Sequence, residues 1–330
     1  MEFLPNFKLY RPDNVKDAVK LATEQTRARY VAGGTDMVVN VRRGIEQPQS
    51  LVDLTSITEI QEIIEVDDGV DIGVGVSLNE LQDNQIIQEQ YHGIAQAAKA
   101  VAGPTHQQYG TVGGNLCLDT RCLFYNQSEW WRQSNDYCLK ERGDICHVAP
   151  GGKRCFATFS GDLAPSMLVY EAKIDVTGTA GSRRMPLKDL YRNDGMSHLT
   201  LDQGELVTSV HLPKTLAGDP SDYEKARIRG SIDFPLAGAA VRLRKGKEEK
   251  IEDIAIALTG VNPYPQNISG LDSLLGGKLG ETELTYIKDI VRKQAKPMRT
   301  TTVAPWYRRR VVGAIARRLV EQLATSETGN

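Results

Sequence analysis

The chain has 330 residues, of which 40% are hydrophobic and 25% are charged, a composition typical of a soluble globular protein with two or three domains. Its 40 basic and 42 acidic residues leave a net charge of −2, which gives no reason to expect nucleic acid or an anionic membrane as partner. The apolar runs are far shorter than the roughly 20 residues of a membrane-spanning helix, so we predict no such helix.

The N-terminal segment lacks the basic region and apolar core of a secretory signal. We therefore expect the protein in the cytoplasm, where clustered cysteines stay reduced and are more often metal ligands or reactive thiols than disulfides. The odd total of five cysteines also argues against a fully paired disulfide framework.

The first 57 residues have the pattern of a small α/β unit, with a helix over 14–22 and a strand over 29–32. A second helix is predicted over 37–43, where Gly44 would end it. Alternating apolar residues over 70–76 then predict a strand, followed by helical patterns at 78–81 and 94–100. These patterns predict a second, α+β unit over residues 58–215.

Residues 121–157 are polar and have no sustained periodicity, which indicates an insertion into the second unit. Gly, Asp, Pro and Ser over 214–221 predict a linker. A strand over 238–244 and helices over 282–293 and 303–323 then predict an α+β C-terminal domain over 221–324.

A glycine-rich loop precedes the helix predicted over 37–43. Gly33 and Gly34 permit a tight turn and Thr35 adds a hydroxyl, at a helix N-terminus whose field favours an anion. The loop therefore predicts a pyrophosphate site, with the Asp36 side chain capping the helix and only its backbone N–H facing the ligand. Taken alone, the same pattern more often marks a plain strand–turn–helix junction.

A second loop of the same character covers residues 110–115. Two such loops can hold one extended dinucleotide from two sides, which makes the pair more informative than either alone. The three-glycine spacing of a nicotinamide-binding Rossmann fold is absent after the early strand.

Five motifs occur in order along the chain: Ala-Gly-Gly-Thr-Asp at 32–36, Gly-Val-Ser-Leu-Asn-Glu-Leu at 75–81, Gly-Thr-Val-Gly-Gly-Asn at 110–115, Asp-Leu-Ala-Pro at 162–165, and Tyr-Glu-Lys at 223–225. Together they resemble the FAD-binding medium subunit of molybdenum hydroxylases, the family of xanthine dehydrogenase and carbon monoxide dehydrogenase. The resemblance covers nearly the whole chain. It implies an α+β fold: a two-part FAD-binding domain of the vanillyl-alcohol-oxidase (PCMH) type, with subdomains 1–57 and 58–215, followed by a smaller α+β C-terminal domain over 221–324.

The resemblance further implies that FAD lies between the two glycine loops. The residues that would contact FAD are Tyr30, Val31, Ala32, Gly33, Gly34, Thr35, Asp36, Val101, Gly110, Thr111, Val112, Gly113, Gly114, Asn115, Asp162, Val207 and Lys225. Without the family, Asp162 is equally well explained as a helix N-cap, and Lys225 is more simply a solvated lysine.

Four of the five cysteines, Cys122, Cys138, Cys146 and Cys155, lie in the insertion, with 15, 7 and 8 residues between successive members. This spacing lacks the close pairs of bacterial ferredoxins and most zinc sites, so by itself it leaves iron and zinc open. Six basic side chains against four acidic ones over 121–157 suit either metal. In having an insertion of this length, the chain resembles the β subunit of 4-hydroxybenzoyl-CoA reductase. This resemblance implies a 4Fe-4S cluster on the four cysteines.

Other conspicuous residues have structural explanations. We predict that Cys117 is a small packed residue, that His147 faces solvent, and that Trp130 and Trp131 anchor the insertion. The basic segment over 306–310 is predicted to be a solvated helical face rather than a partner-binding patch.

The resemblance implies an electron-transfer subunit with FAD and a 4Fe-4S cluster. Partner subunits would carry the molybdenum cofactor and two 2Fe-2S clusters, reduced ferredoxin would be the electron donor, and the assembly would be a heterohexamer of two copies of three subunits. The molybdenum subunit would remove the phenolic hydroxyl of 4-hydroxybenzoyl-CoA, and no acid–base catalytic residue is predicted in this chain. The alternatives are the FAD subunit of another molybdenum hydroxylase with a zinc loop, and a non-redox scaffold that has kept the fold.

Overall fold

The computed structural model describes residues 4–325, and its strands form three separate sheets. The first unit contains β1 (Lys8–Tyr10), α1 (Val15–Glu24), β2 (Ala28–Val31), α2 (Met37–Arg42) and β3 (Ser50–Asp53). Its strands are parallel in the order β1-β3-β2, so helical crossovers connect them. Asn14 caps α1 by accepting a hydrogen bond from the Asp17 backbone N–H at 2.9 Å. The predicted helices and strand are present, within two residues of their predicted ends.

The second unit is built on a five-stranded antiparallel sheet in the order β4-β5-β8-β6-β7. Ser77 and Glu80 begin its first α-helix with a capping box, in which each side chain accepts from the other residue's backbone N–H. The elements are β4 (Ile63–Val66), β5 (Gly69–Gly73), α3 (Leu78–Asp83), α4 (Gln85–Gln90), α5 (His92–Ala100), α6 (Pro104–Tyr109), α7 (Val112–Leu116), α8 (Glu129–Ser134), α9 (Leu163–Leu168), β6 (Lys173–Gly178), β7 (Gly181–Pro186) and β8 (Leu206–Pro213). One apolar core joins this unit to the first.

The predicted insertion is a closed excursion from the second unit. Arg121 and Thr158 pair at its base, with Arg121 N to Thr158 O at 2.7 Å and Thr158 N to Arg121 O at 2.8 Å. Between them lie α8 and a small core of its own, against which Ile45 of the first unit packs. The insertion therefore lies on the end of α2.

Trp130 does not anchor this insertion, because 74% of its surface is exposed. Trp131 is half-buried, with its ring centroid 6.3 Å from that of Phe124. The anchor is Arg132, which is 1% exposed and donates to the carbonyl oxygen of Gly44 at 3.0 Å. A buried guanidinium that donates charged hydrogen bonds to backbone carbonyl oxygens holds the segment more firmly than an exposed indole.

The C-terminal unit has an antiparallel sheet in the order β12-β11-β10-β9, covered by two helices over a separate core. Its elements are β9 (Ser221–Ala226), β10 (Ala237–Lys245), β11 (Ile251–Thr259), β12 (Gln266–Asn267), α10 (Glu281–Gln294) and α11 (Pro305–Thr325). Short 3-10 turns lie at Thr58–Ile60, Leu187–Leu190, Lys214–Leu216, Lys247–Glu249 and Asp272–Leu274. Helix α11 begins at proline, which is favourable at a first helical position, two residues later than predicted.

The segment over 306–310 is only partly a solvated face. Trp306 and Tyr307 are 62% and 43% exposed, as predicted, but Arg308 is fully buried. Its guanidinium donates to the carbonyl oxygens of Leu236 and Met298, both at 2.8 Å. Within residues 4–325, no helix combines the length and hydropathy needed to cross a membrane.

Candidate functional site

The first glycine loop presents unused backbone donors. In the described residues, the N–H groups of Gly33, Gly34 and Thr35 donate no hydrogen bond. Gly34 has φ +69°, a conformation that favours glycine. Helix α2 ends as predicted at Gly44, which has φ +68°. The loop therefore leaves three backbone donors without a protein acceptor among the described residues just before a helix, an arrangement that suits an anion.

The second glycine loop uses its donors internally. Val112 N and Gly113 N donate to the carbonyl oxygens of Val76 and Val74 at 3.0 and 2.9 Å. Gly114 N donates to the Thr111 hydroxyl at 3.1 Å, which caps α7. These hydrogen bonds thus hold the loop against the segment that follows β5. The loop would shape the ligand site more than it would donate hydrogen bonds to the ligand.

The two loops touch each other. A β-carbon added to Gly33 would lie 1.7 Å from the carbonyl oxygen of Tyr109, the residue before the second loop. A β-carbon on Gly110 would lie 3.6 Å from the Thr35 hydroxyl. The two sequence motifs predicted to hold one dinucleotide therefore form one cradle, whose close contact requires glycine.

Asp36 does not cap α2, contrary to the prediction. Its side chain makes no capping hydrogen bond and instead accepts from Asn40 Nδ2 at 2.9 Å and forms an ion pair with Arg121. Arg121 also donates to Asn40 Oδ1 at 3.3 Å and lies over the Phe234 ring, 4.7 Å from its centroid. Sequence analysis missed this role of Arg121, which neutralises the carboxylate beside the proposed phosphate site.

Asp162 and Lys225 form a buried ion pair, so neither simpler explanation of these residues holds. Asp162 makes no helix-capping hydrogen bond, and the Lys225 side chain is only 3% exposed rather than solvated. Lys225 Nζ lies 3.0 Å from Asp162 Oδ1, which also accepts from the Tyr223 hydroxyl at 2.6 Å. Burial raises the pKa of Asp162, and the Lys225 cation opposes that rise.

This ion pair lies beneath the second loop, because Asn115 Oδ1 accepts from the backbone N–H of Leu163 at 2.9 Å. Val101 packs against the first core, and Val207 is 2% exposed within β8. The Tyr30 hydroxyl donates to Gly204 O at 2.8 Å, and burial raises its pKa. Tyr223 is a further residue of this region that the sequence did not single out as a site residue.

The four cysteines of the insertion converge on one cavity. All four are buried in its lining. The lining consists of Cys122, Phe124, Tyr125, Cys138, Leu139, Lys140, Cys146, His147, Val148, Cys155 and Ala157. Cys117 lies outside this set and packs against the first core, as predicted.

Backbone N–H groups favour the thiolate form at three of these cysteines. They come from Phe124 and Tyr125 for Cys122, from Lys140 and Glu141 for Cys138, and from Ala157 for Cys155, the last at 3.4 Å from the sulfur. Burial nevertheless dominates, raising the pKa of Cys122 to about 11 and that of Cys155 to about 12. Without a cation the thiols of Cys122, Cys138 and Cys155 are therefore neutral, and a metal centre is what would ionise them.

Most basic side chains of the insertion are paired with carboxylates. Lys140 Nζ lies 2.7 Å from Asp119 Oδ1, and Arg132 forms ion pairs with Glu129 and Glu141 at 2.6 and 2.9 Å. These ion pairs neutralise part of the basic excess counted in the sequence, so the uncompensated positive charge around the cavity is smaller than expected. His147 does not face solvent: it lines the cavity, contacts the Tyr137 carbonyl oxygen and lies 5.4 Å from the Phe124 ring.

No group of three or more His, Cys, Asp or Glu side chains in residues 4–325 is arranged to hold a single metal ion. The four cysteines nonetheless surround one cavity.

The fold and the cradle define a flavin-binding subunit, and the comparisons with known proteins give its family. Residues 5–215 match the FAD-binding domain of molybdopterin dehydrogenases, and residues 221–323 match the C-terminal domain of the carbon monoxide dehydrogenase flavoprotein. The chain belongs to the FAD-binding medium subunits of the molybdenum hydroxylase family. The resemblance found in the five motifs is therefore confirmed, as is the predicted fold class.

Individual relatives agree with this assignment. The medium chain of carbon monoxide dehydrogenase from Hydrogenophaga pseudoflava is 28% identical over 275 residues, covering 83% of this chain and 81% of that protein. The FAD-binding subunit PaoB of an aldehyde oxidoreductase from Escherichia coli is 28% identical over 286 residues, covering 82% of this chain and 86% of that protein. The structure of carbon monoxide dehydrogenase from Hydrogenophaga pseudoflava superimposes with a TM-score of 0.79 at 24% identity, covering 97% of both chains.

Proposed function

We propose that this protein is a cytoplasmic electron-transfer subunit of a molybdenum enzyme, with FAD in the glycine-loop cradle and a 4Fe-4S cluster on Cys122, Cys138, Cys146 and Cys155. When bound, a flavin exchanges one or two electrons and a 4Fe-4S cluster exchanges one, so together they connect a one-electron donor to a two-electron reaction. The observation that carries the proposal is the convergence of four buried cysteines on one cavity in an insertion fastened to the flavin loop.

The cradle suits FAD through its free donors and its charge. The unused N–H groups of Gly33, Gly34 and Thr35 would hold the pyrophosphate, while Arg121 cancels the charge of Asp36. The residues assigned to FAD by resemblance remain our assignment, with Asp162 and Lys225 acting as a pair. Because both are buried and bonded to each other, their contribution is a fixed dipole beside the cofactor rather than two independent contacts.

Iron is favoured over zinc by the resemblance of the insertion and by the backbone hydrogen bonds at the cysteines. Backbone N–H groups directed at three of the cysteines are typical of iron–sulfur sites, where hydrogen bonds to sulfur help to set the potential.

The finer identity follows from the insertion. We assign the chain to an enzyme of the 4-hydroxybenzoyl-CoA reductase type, in which partner subunits hold the molybdenum cofactor and two 2Fe-2S clusters, and reduced ferredoxin supplies electrons. Two copies of each of three subunits would form the assembly, and 4-hydroxybenzoyl-CoA would bind the molybdenum subunit. The relatives above carry the names of carbon monoxide dehydrogenase and aldehyde oxidoreductase, which supports the enzyme class but not this substrate.

Metal and flavin analysis tests the proposal. Protein purified with and without oxygen is assayed for iron, zinc and FAD, with low-temperature EPR of the reduced sample. We expect about four irons per chain in the anaerobic sample together with FAD. One zinc per chain would instead identify the flavin subunit of another molybdenum hydroxylase, and a colourless protein without metal would identify a scaffold.

A cysteine substitution separates the two centres. Cys138→Ser should remove iron and leave FAD bound, because Cys138 lines the cysteine cavity and not the cradle. Cys117→Ser is the matched control, since Cys117 packs against the first core, and it should retain both. Loss of FAD along with iron in Cys138→Ser would show that the insertion is required for the flavin site itself.

A further inference from the structure

A second cleft shares a wall with the cysteine cavity. Along residues 154–157 the side chains alternate: Cys155 and Ala157 line the cysteine cavity, whereas Arg154 and Phe156 line the cleft. An extended segment places successive side chains on opposite faces, so one thickness of backbone separates the two spaces.

The lining of this cleft is cationic and contains no carboxylate. It consists of Arg154, Phe156, Asn193, Asn262, Pro263, Tyr264, Gln266, Lys293, Gln294, Lys296 and Met298. Lys293 and Lys296 are exposed, and neither forms an ion pair with any residue in the range 4–325. Arg154 donates only to amide oxygens of Asn193 and stacks on Phe156 at 4.4 Å, so its charge is also uncompensated.

Asp194, which follows the lining residue Asn193, is hydrogen-bonded to backbone. Asp194 Oδ1 accepts from the N–H groups of Cys155 and Met196 at 3.1 and 3.0 Å. Three cations therefore line the cleft without an ion-pair partner among the residues that the structure describes, which favours a negatively charged partner in a protein whose net charge is −2.

The walls of the cleft are held by hydrogen bonds within the protein. Lys296 N donates to Asn262 Oδ1 at 3.1 Å, and Gln294 Nε2 donates to Ser269 O at 2.8 Å. Buried Arg308 holds the Met298 carbonyl oxygen at 2.8 Å. The surface is thus formed before any partner arrives, which lowers the cost of docking.

We propose that this cleft is the docking surface for an acidic one-electron carrier protein, an inference that rests on the proposed iron–sulfur centre and names where its donor binds. The exposed lysines attract a negatively charged carrier, and the aromatic and amide floor offers contact area once it is seated. A carrier seated there is separated from the cysteine centre only by residues 154–157. Docking in this cleft would therefore bring the redox centre of the carrier close to the cysteine centre.

Charge reversal at the rim tests this inference in the assembled enzyme. The variant Lys293→Glu/Lys296→Glu is compared with Lys16→Glu/Lys20→Glu, the same charge change on exposed lysines of α1, away from the cleft. Stopped-flow reduction by reduced ferredoxin is followed at low and high ionic strength, and reduction by the methyl viologen radical cation serves as the second reductant.

We expect the cleft variant to be reduced by ferredoxin about tenfold more slowly at low ionic strength, with a difference that shrinks as salt is added. The α1 variant should match wild type, and reduction by cationic methyl viologen should not slow in either. Equal ferredoxin rates in the cleft variant and wild type would overturn the inference. The inference would also be overturned if the cleft variant were reduced more slowly by both ferredoxin and methyl viologen and the uncharged variant Lys293→Met/Lys296→Met showed the same loss with both reductants.

Binding of oxidised ferredoxin separates this inference from the proposed function. A protein without iron would refute the 4Fe-4S assignment, yet ferredoxin binding to the cleft remains measurable by calorimetry. If oxidised ferredoxin binds the cleft variant as tightly as wild type, or binds neither, the docking surface is wrong whatever the iron content. Binding of inorganic pyrophosphate to wild type but not to Lys293→Glu/Lys296→Glu, with no ferredoxin binding, would identify the cleft as a small-anion site instead.

Discussion

Replacing Gly33 by alanine tests whether the two glycine loops must touch for FAD to bind. The added β-carbon would lie 1.7 Å from the Tyr109 carbonyl oxygen and 2.4 Å from its carbonyl carbon, whereas an ordinary contact needs at least 3.4 Å. The obstacle is backbone, so no side-chain rotation relieves it and the loops must separate. Overpacking of this kind costs about 1–3 kcal/mol. If that cost falls on the arrangement that binds FAD, affinity drops about 5- to 150-fold.

The assay is titration of the apoprotein with FAD, followed by quenching of flavin fluorescence. Gly103→Ala is the matched control, because the nearest atom to its added β-carbon is Ile232 Cγ1 at 4.0 Å. Thermal unfolding of both apoproteins distinguishes a weakened cradle from a failure to fold. Equal FAD affinity in Gly33→Ala and Gly103→Ala would show that contact between the loops is not required, and the reasoning would be wrong.

Two further substitutions probe buried charge. Lys225→Met leaves the Asp162 carboxylate buried without its cation, so we expect the free energy of unfolding to fall by about 3 kcal/mol. Adding Asp162→Asn should restore most of that free energy. An unchanged denaturant midpoint in Lys225→Met alone would contradict this reasoning. Burial lowers the pKa of His198 from 6.5 to about 4. As the pH falls between these two values, the imidazole binds a proton in the unfolded chain but stays neutral in the folded chain. Stability should be intact above pH 6.5 and decline by up to about 3 kcal/mol toward pH 4, and His198→Gln should flatten that part of the unfolding curve.

Local features of the fold were predictable because their causes lie within a few residues. Gly44 ends α2 in the left-handed conformation, and the insertion begins and ends where periodicity is lost. The function of Asp36 was not predictable, because its partner Arg121 is 85 residues away and a capping preference is only the local alternative. Without the family resemblance Lys225 is more simply a solvated lysine for the same reason: its acidic partner is 63 residues away, and only tertiary packing buries them together.

The convergence of the cysteines was inferred from their local density and from family resemblance. Their spacing carries no geometric information, because irregular backbone has no fixed period from which to calculate which side chains meet. The exposed Trp130 illustrates the same limit, since aromatic character predicts burial on average but not for a particular loop residue. What fixes the insertion is a buried arginine, a residue type that sequence patterns usually assign to the surface.

Two arginines connect the insertion to both ends of α2. Arg121 closes the base of the insertion through its backbone, precedes the first cysteine, and binds Asp36 before α2 begins. Arg132 returns from the insertion to the carbonyl oxygen of Gly44, just after α2 ends. A helix held at both ends cannot shift relative to the segment that holds it without breaking charged, partly buried hydrogen bonds. The cysteine cavity and the first glycine loop therefore keep a fixed separation, which two centres need if electrons are to pass between them at a constant rate.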